Sequence, residues 1–211
     1  VENHAEIARE TGYSLQRAAI GFLLALGTML PLGVFLGRVR AAGVLVEPVI
    51  EFVRPLPPIA IIPVTMLFLG IGDAARIGVV VYGASFPILI NTIEAVRGSH
   101  PMLTNVTRSL RLTRLEQMIE VDLPAALPQI MAGVRIAIAS SLLLAVVAEM
   151  LIAANGLGTY IVRSQERFQI ANNLAALLVI VVLALVINWL LKLADDRLLR
   201  WHHVRTGASG H

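Results

Sequence analysis

The stretch LEQMIEVDLPAALPQIMAGVRIA, residues 115–137, joins a polar segment directly to an apolar one. Its first part carries the carboxylates of Glu116, Glu120 and Asp122, a charge density typical of a water-exposed helix. Pro124 follows at once and opens a long apolar segment of the kind that lies in lipid. The junction therefore predicts a polar surface helix fastened through a proline hinge to a membrane span.

The composition of the whole chain is that of a membrane protein. Hydrophobic residues make up 57% of the 211 residues, and the mean hydropathy is +0.78. Only 15% of the residues are charged, whereas soluble domains carry about 25%. The 16 glycines suit closely packed membrane helices. The absence of cysteine excludes disulfides and thiolate metal sites.

Five apolar segments are long enough to cross the hydrocarbon core, which takes about 20 residues. They are Ala18–Gly37, about Val44–Leu69, Ile77 to about Ala95, about Ala125–Ala153, and Phe168–Leu191. The second contains the stretch RPLPP, residues 54–58, and proline removes a helix hydrogen bond. The sequence thus predicts an all-α polytopic protein, residues 1–211 forming one transmembrane domain whose second span is broken.

The distribution of Lys and Arg predicts the orientation. With the loop after the first span in the cytoplasm, ten cationic residues face that side: Arg38, Arg40, Arg97, Arg108, Arg111, Arg114, Lys192, Arg197, Arg200 and Arg205. Five face the other side: Arg9, Arg17, Arg76, Arg163 and Arg167. The N-terminal residue is then outside although no signal-peptide pattern precedes it, so we expect a further span before Val1.

This orientation places residues 97–122 on the cytoplasmic side, where two short amphipathic helices are expected. Pro101 lies near the start of the first helix, where its missing N–H has no cost. Thr113 and Glu116 have the spacing of a capping box, which opens the second helix. Pro124 then turns the chain back into the membrane.

The segment resembles the cytoplasmic EAA loop of ABC importer permeases. That pattern reads Glu-Ala-Ala, three residues, Gly, nine residues, Ile, one residue, Leu-Pro. Residues 105–107 (Asn-Val-Thr) take the EAA position here, and Arg111 takes that of the Gly. Val121 takes the Ile position and Leu123–Pro124 close the pattern. The spacing agrees throughout, whereas the first four letters differ.

The rest of the chain, roughly residues 12–203, resembles the nitrate/sulfonate/taurine branch of that family. VRPLPPIAIIPVTMLFLGIGD, residues 53–73, is similar to the Arg-Pro-x-Pro-Pro segment of that branch and its Phe-Gly-Ile-Gly turn. The stretches SFPILINTIEAVR, DLPAALPQIMAGVRIAI and VVAEMLIAANGLGTYI follow in the same order. Members of the family usually carry one more N-terminal span, so six spans are expected where this chain shows five.

The resemblance implies an importer permease of the bacterial inner membrane that pairs with a second permease subunit, in a homodimer. It also implies two ATPase subunits and an extracytoplasmic substrate-binding protein as partners, and no nucleic acid. The loop 99–122 would hold the coupling helices that seat on the ATPases. The coupling residues are Asn105, Arg108, Arg111, Thr113, Arg114, Glu116, Leu123 and Pro124.

The chain itself is expected to be no enzyme and to bind no cofactor or metal. It has no phosphate-binding G-x-x-x-x-G-K-[ST] loop, so ATP and Mg are expected on the partner ATPase. The cargo implied by the resemblance is a small anion such as nitrate, a sulfonate, taurine or bicarbonate. A vitamin or a pyrimidine precursor is the alternative cargo for the same machinery.

Four residues are candidates for the translocation path or its gate: Arg54, Pro57, Arg135 and Glu149. Glu149 lies inside a span, where a carboxylate either faces a water-filled cavity or bonds to the adjacent NGLG turn. Arg135 either snorkels to the interface or pairs with a carboxylate at a subunit contact. Arg54 either pairs with Glu51 or serves the path, and Pro57 marks either a pore-side kink or a packing kink.

Two other function classes lack their sequence features. An intramembrane enzyme would need a nucleophile with a base or paired metal ligands, but GASFP lacks the second Gly of G-x-S-x-G and H-E-x-x-H is absent. An ion-coupled secondary transporter would need paired inverted halves, which five unequal spans do not supply. The sequence also gives Gly33-x-x-x-Gly37, a spacing that allows close helix approach.

Overall fold

The computed structural model describes residues 2–98, 113 and 116–198, and within these ranges helices are joined only by turns. The elements are α1 Glu2–Arg38, α2 Arg40–Val53, a 3₁₀ helix Pro58–Ile61, α3 Ile62–Leu69, α4 Asp73–Arg97, a π-helical segment Gln117–Asp122, α5 Leu123–Leu151, α6 Leu157–Glu166 and α7 Ile170–Leu198. The predicted all-α class is confirmed. The first part of the loop 99–122 lies outside the described residues.

Among the described residues, four helices are long and apolar enough to span a membrane: His4–Arg38, Asp73–Arg97, Glu120–Leu151 and Ile170–Ala194. The pair formed by α2 and the 3₁₀–α3 unit passes the same test as one span bent by 92°. The five predicted spans are therefore confirmed, including the broken second one.

The break in the second span is supported by a neighbouring helix. α2 ends at Val53, and the chain passes through Pro55, Pro57 and Pro58 before it becomes helical again. The hydroxyl of Tyr82 on α4 lies 3.0 Å from the carbonyl oxygen of Val53 and 3.3 Å from that of Leu56. The carbonyl of Val53, whose helical partner Pro57 has no N–H, thus obtains donors from Tyr82 and from the N–H of Leu56, which is the condition for a broken helix at membrane depth.

α1 begins 16 residues before the predicted first span, at Glu2 instead of Ala18. Its polar N-terminal half had no apolar stripe that would predict a buried helix. The structure shows that Glu10, Ser14 and Arg17, four and three residues apart, share one face and are buried. Their polar partners on other elements replace the apolar stripe, so the helix continues without a break.

α4 is the central helix: it packs most extensively against α1 and α5, which also contact each other. Glycines let α1 approach it closely, because a Cβ at Gly33 would lie 2.7 Å from the Cβ of Thr92. A Cβ at Gly37 would lie 2.8 Å from the Cβ of Val96, and a Cβ at Gly21 would lie 2.6 Å from the Cβ of Val80. The predicted Gly33-x-x-x-Gly37 contact is confirmed, and Gly21 extends it toward the other end.

α7 is packed differently from the other spans. Only 6% of its most apolar window is buried, whereas the value is 50% for both α4 and α5. Leu178, Leu185 and Trp189 are each more than 60% exposed. Large apolar side chains in such numbers indicate that lipid or another protein chain covers this helix.

The charged residues collect at two opposite ends of the bundle. One end, which we name the Glu149 end, holds Arg17, Arg76 and Arg163 beside the turn after α5. The other, the Asp122 end, holds Arg38, Arg40 and Arg97 around one cleft. The grouping that the sequence predicted for these six arginines is therefore confirmed.

The glycine seam gives a direct test of the packing. We expect Gly33→Leu to destabilise the protein by about 1–3 kcal/mol, because the added side chain meets α4. Gly27→Leu on the same helix is the matched control, since nothing lies within 4 Å of a Cβ there. The stability of both variants is measured by thermal unfolding in detergent, with the loss of monodisperse protein as the readout. Equal loss in the two would contradict the packing of α1 on α4.

Candidate functional site

The residues that the sequence singled out lie in three places. Thr113, Glu116, Leu123 and Pro124 form the elbow, the name used here for residues 113–124 at the Asp122 end. Glu149 lies at the opposite end, and Arg54, Pro57 and Arg135 lie between. Asn105, Arg108, Arg111 and Arg114 lie outside the described residues.

The predicted capping box is present. The backbone N–H and the hydroxyl of Thr113 each donate to Glu116 Oε2 at 2.7 Å, and the N–H of Glu116 lies 3.3 Å from Thr113 Oγ1. Hydrogen bonds from that N–H and hydroxyl hold the pKa of Glu116 below its usual 4.5. The cap therefore contributes fully above pH 4.5 and is lost as the pH falls through the lowered pKa.

The prediction that Pro124 turns the chain is wrong. Helical structure runs from Glu116 to Leu151 without a break, as a π-helical segment up to Asp122 and as α5 from Leu123. Asp122 itself is helical, with φ −68° and ψ −46°. A proline ring normally clashes with the carbonyl four residues earlier, and the wider π turn before Pro124 relieves that clash. From Glu116 onward, the elbow and the span are therefore one helix.

The elbow borders a cleft at the Asp122 end. The cleft has a volume of about 750 Å³, and Arg38, Arg40, Arg97, Glu47 and Asp122 are among its lining residues. Arg38 and Asp122 form an ion pair at 4.0 Å, and Arg97 and Glu47 form one at 3.5 Å. Since their side chains are 19% to 51% exposed, these pairs are weak links that can separate at low cost.

The Glu149 end is held by a cluster of charges in which Glu149, Arg17 and Arg76 are buried. Glu149 has no exposed surface, and its Oε1 accepts from Arg17 Nη1 at 2.6 Å. Its Oε2 accepts from Ser14 Oγ at 2.6 Å and from the N–H of Gly158 at 3.1 Å. The predicted hydrogen bond to the NGLG turn is thus confirmed, and the carboxylate is saturated by donors from α1 and α6.

Two further ions complete this cluster. Arg17 also donates to Asp73 Oδ1 at 2.8 Å and to both oxygens of Asn155. Arg76 donates to Asp73 Oδ1 at 2.7 Å and twice to the carbonyl oxygen of Ile152, at 2.9 and 2.7 Å. Because each buried charge has an opposite charge and hydrogen bonds, the cost of taking it from water is offset.

Glycine is required in the turn that closes the cluster. Gly156 has φ +106°, and a Cβ there would collide with the carboxylate of Glu149. Its N–H donates to Glu10 of α1. Gly158 approaches the carbonyl of Val146 so closely that a Cβ would overlap it. The two glycines of NGLG therefore let the backbone reach both carboxylates.

The sequence reasoning did not assign Arg17, Arg76 or Glu10 to a site, because each was counted only as a charge beside a span. The sequence of α1 nevertheless contains a pattern that indicates a buried polar face. Glu10, Ser14 and Arg17 follow each other at spacings of four and three residues, so that they share a helix face next to an apolar span. A carboxylate inside another span needs such a face as its partner.

Arg54 and Pro57 lie at the break in the second span. Arg54 caps the C-terminus of α2, and Pro57 precedes the 3₁₀ helix. Within the described ranges, Glu51 and Arg54 form no ion pair, so that alternative is wrong. Both side chains instead line a groove of about 220 Å³ with Glu94 and Arg97.

Arg135 lies near the middle of α5 with an exposed side chain. It lines a groove of about 440 Å³ between α5 and α7, opposite Asn188. Arg135 therefore faces a space between two spans.

The buried pair gives a prediction about stability. Glu149→Gln and Arg17→Gln should each lower the free energy of unfolding by about 3 kcal/mol, because each leaves a buried ion without its main partner. The double variant should lose less than the sum of the two. Glu94→Gln is the control, since Glu94 is exposed and, among the described residues, its side chain accepts one hydrogen bond, from Gln129. Thermal unfolding in detergent measures all four, and additive losses would contradict the pairing.

Comparison with known proteins places the chain in a family. The profile described as binding-protein-dependent transport system inner membrane component matches residues 29–201. The chain is 31% identical to a Bacillus subtilis permease named for aliphatic sulfonates transport, over 92% of this chain and 70% of that one. It is 33% identical to a nitrate import permease of Synechococcus elongatus, over 89% of this chain and 66% of that one.

The fold of this chain is also similar to that of a solved transporter chain. A chain of the MetNI methionine ABC transporter, solved in inward-facing conformations, superposes with a TM-score of 0.73, covering 93% of this chain and 96% of that chain. At 23% identity this likeness concerns the fold alone. Together with the profile and the relatives, the multi-pass helical fold shows that this chain belongs to the binding-protein-dependent transport inner-membrane components, the permeases of ABC importers.

Proposed function

We propose that two copies of this chain form the translocation path of an importer in the bacterial inner membrane, powered by two separate ATPase subunits. The observation that carries the proposal is the unbroken helix from Glu116 to Leu151. A polar elbow that is continuous with a span can carry the motion of a water-soluble subunit into the membrane. The absence of a phosphate-binding loop from the sequence supports ATP hydrolysis on another chain.

The elbow has the surface chemistry of a docking site for the ATPase. Glu116 and Glu120 are exposed, and they lie four residues apart on one side of the helix. The capping box fixes the first turn, so the ATPase meets a formed helix and little entropy is lost on docking. The predicted coupling residues Asn105, Arg108, Arg111 and Arg114 belong to the same proposed contact.

The Glu149 end is the proposed side for the binding protein. At this end the first half of α6 is buried, namely Leu157, Gly158, Thr159, Tyr160 and Ile161. They pack against α5 and α7, so they cannot meet a partner. Just beyond them, residues 165–170 form a continuous exposed run, which includes Phe168 at 90% exposure. The contact is therefore proposed for residues 165–170.

The proposed cargo is a small anion such as nitrate, a sulfonate, taurine or bicarbonate. Two relatives are named for sulfonates and for nitrate, and both types of solute carry negative charge. The exposed guanidinium of Arg135 between two spans has the charge to attract such a solute.

Docking of the ATPase can be tested by purification of the complex. We expect Glu120→Arg to lower the amount of ATPase that copurifies with the full-length chain about tenfold, because a contact charge is reversed. Glu166→Arg is the matched control, since Glu166 is also an exposed helical Glu but lies at the opposite end. Equal recovery from the two variants would contradict docking at the elbow. Uptake of ethanesulfonate or nitrate by the chain alone, without any ATPase, would overturn the proposed function.

A further inference from the structure

A groove of about 440 Å³ between α5 and α7 combines apolar walls with two polar groups. Arg135, Ala139 and Leu142 line the α5 wall at spacings of four and three residues. Val181, Leu185 and Asn188 line the α7 wall at similar spacings. The guanidinium and the amide are the polar side chains of this lining, so both belong to one site.

These two groups are exceptional in their helices. Arg135 is the one charged residue between Leu123 and Ala148, and Asn188 is the one amide, hydroxyl or charged residue between Leu174 and Leu191. A cation in so apolar a segment is costly when it faces lipid, so such groups face protein or a water-filled path. The groove supplies that space, since it lies between two spans.

The depth of the pair separates it from the lipid headgroups. Arg135 is about 18 Å along α5 from Leu123, and Asn188 is about 15 Å along α7 from Leu198, at 1.5 Å per residue. Both helix ends lie at the Asp122 end, so the two side chains share one level. A hydrocarbon core is about 30 Å thick, which places this level inside the membrane, away from phosphate headgroups.

We propose that this groove binds the anion in transit, with Arg135 as its charge partner and Asn188 as a second donor; the assignment rests on the proposed importer function. A guanidinium presents N–H donors in a planar fork that matches two oxygens of a nitrate, sulfonate or carboxylate. The amide of Asn188 adds N–H donors from the opposite wall. The apolar remainder of the lining has room for the short alkyl part of an organic sulfonate.

The chain contains no cysteine, so one introduced thiol reports on the groove without a background. The experiment uses Asn188→Cys in the full-length chain, in native membranes that also contain its ATPase. Two methanethiosulfonate reagents of similar size are compared, one carrying a sulfonate and the other a trimethylammonium group. Each rate is divided by the rate of the same reagent with a small free thiol, because a thiolate by itself favours the cationic reagent. Because Arg135 concentrates anions in the groove, the normalised rate of the sulfonate reagent should be about tenfold higher. Ethanesulfonate added in excess should slow that reaction.

Two variants of Arg135 and one control position test whether the charge of Arg135 causes the faster reaction of the sulfonate reagent. Arg135→Gln in the Asn188→Cys chain should bring the two rates together, whereas Arg135→Lys should keep the sulfonate reagent faster because the charge remains. Val186→Cys is the control, since Val186 is two residues away on α7 and exposed but outside the groove lining. Its reaction should show no preference that depends on Arg135.

Three results would overturn the assignment. Equal normalised rates of the two reagents at Asn188→Cys, with Arg135 intact, would show that the groove contains water but does not favour anions. Reaction only after detergent extraction would show that lipid covers the groove. If the thiol still reacts faster with the sulfonate reagent after Arg135→Gln, a group other than Arg135 attracts the anion. If an ATPase still copurifies in these cases, the importer function stands and only the groove assignment fails, whereas the loss of ATPase from the unmodified chain would remove both.

Discussion

The structure depends on the cation and the hydrogen-bond donors that offset the buried negative charge of Glu149. A carboxylate with no exposed surface in an apolar helix is stable only with a cation and hydrogen-bond donors beside it. Arg17 and Ser14 come from α1 and the N–H of Gly158 from α6, while Asp73 and Arg76 of α4 complete the cluster. This cluster thus joins α1, α4, α5 and α6 at the Glu149 end.

The Asp122 end is built in the opposite way. Its ion pairs are partly exposed, at 3.5 and 4.0 Å, and a cleft of about 750 Å³ separates its elements. Partly exposed pairs contribute little free energy and can separate and re-form, whereas the buried cluster cannot open without leaving charges unpaired. α5 runs between the two ends, from the elbow to Glu149. One continuous helix thus connects the proposed docking end to the end that is held by buried charges.

The fold was largely predictable because its main signals are local. Apolar length predicted the spans, three closely spaced prolines predicted the broken second one, and the Thr113–Glu116 spacing predicted the cap. The long polar start of α1 was missed, because its burial depends on Glu149, more than 130 residues away. The effect of Pro124 was missed because a π turn, which has no sequence signature, accommodates the ring. The Arg135–Asn188 groove needs the relative rotation of two helices, which an almost uniformly apolar sequence does not determine.

The central claim is that the elbow and α5 move as one rigid lever. Because the chain lacks cysteine, spin labels can be attached at pairs of introduced cysteines, and their separation measured by pulsed electron resonance in the assembled complex. One pair replaces Gln117 and Leu151, at the two ends of the lever, and the other replaces Gln117 and Val44, across the cleft. With and without ATP, the first distance should stay constant and the second should change. A change in the first distance, or none in the second, would contradict the claim.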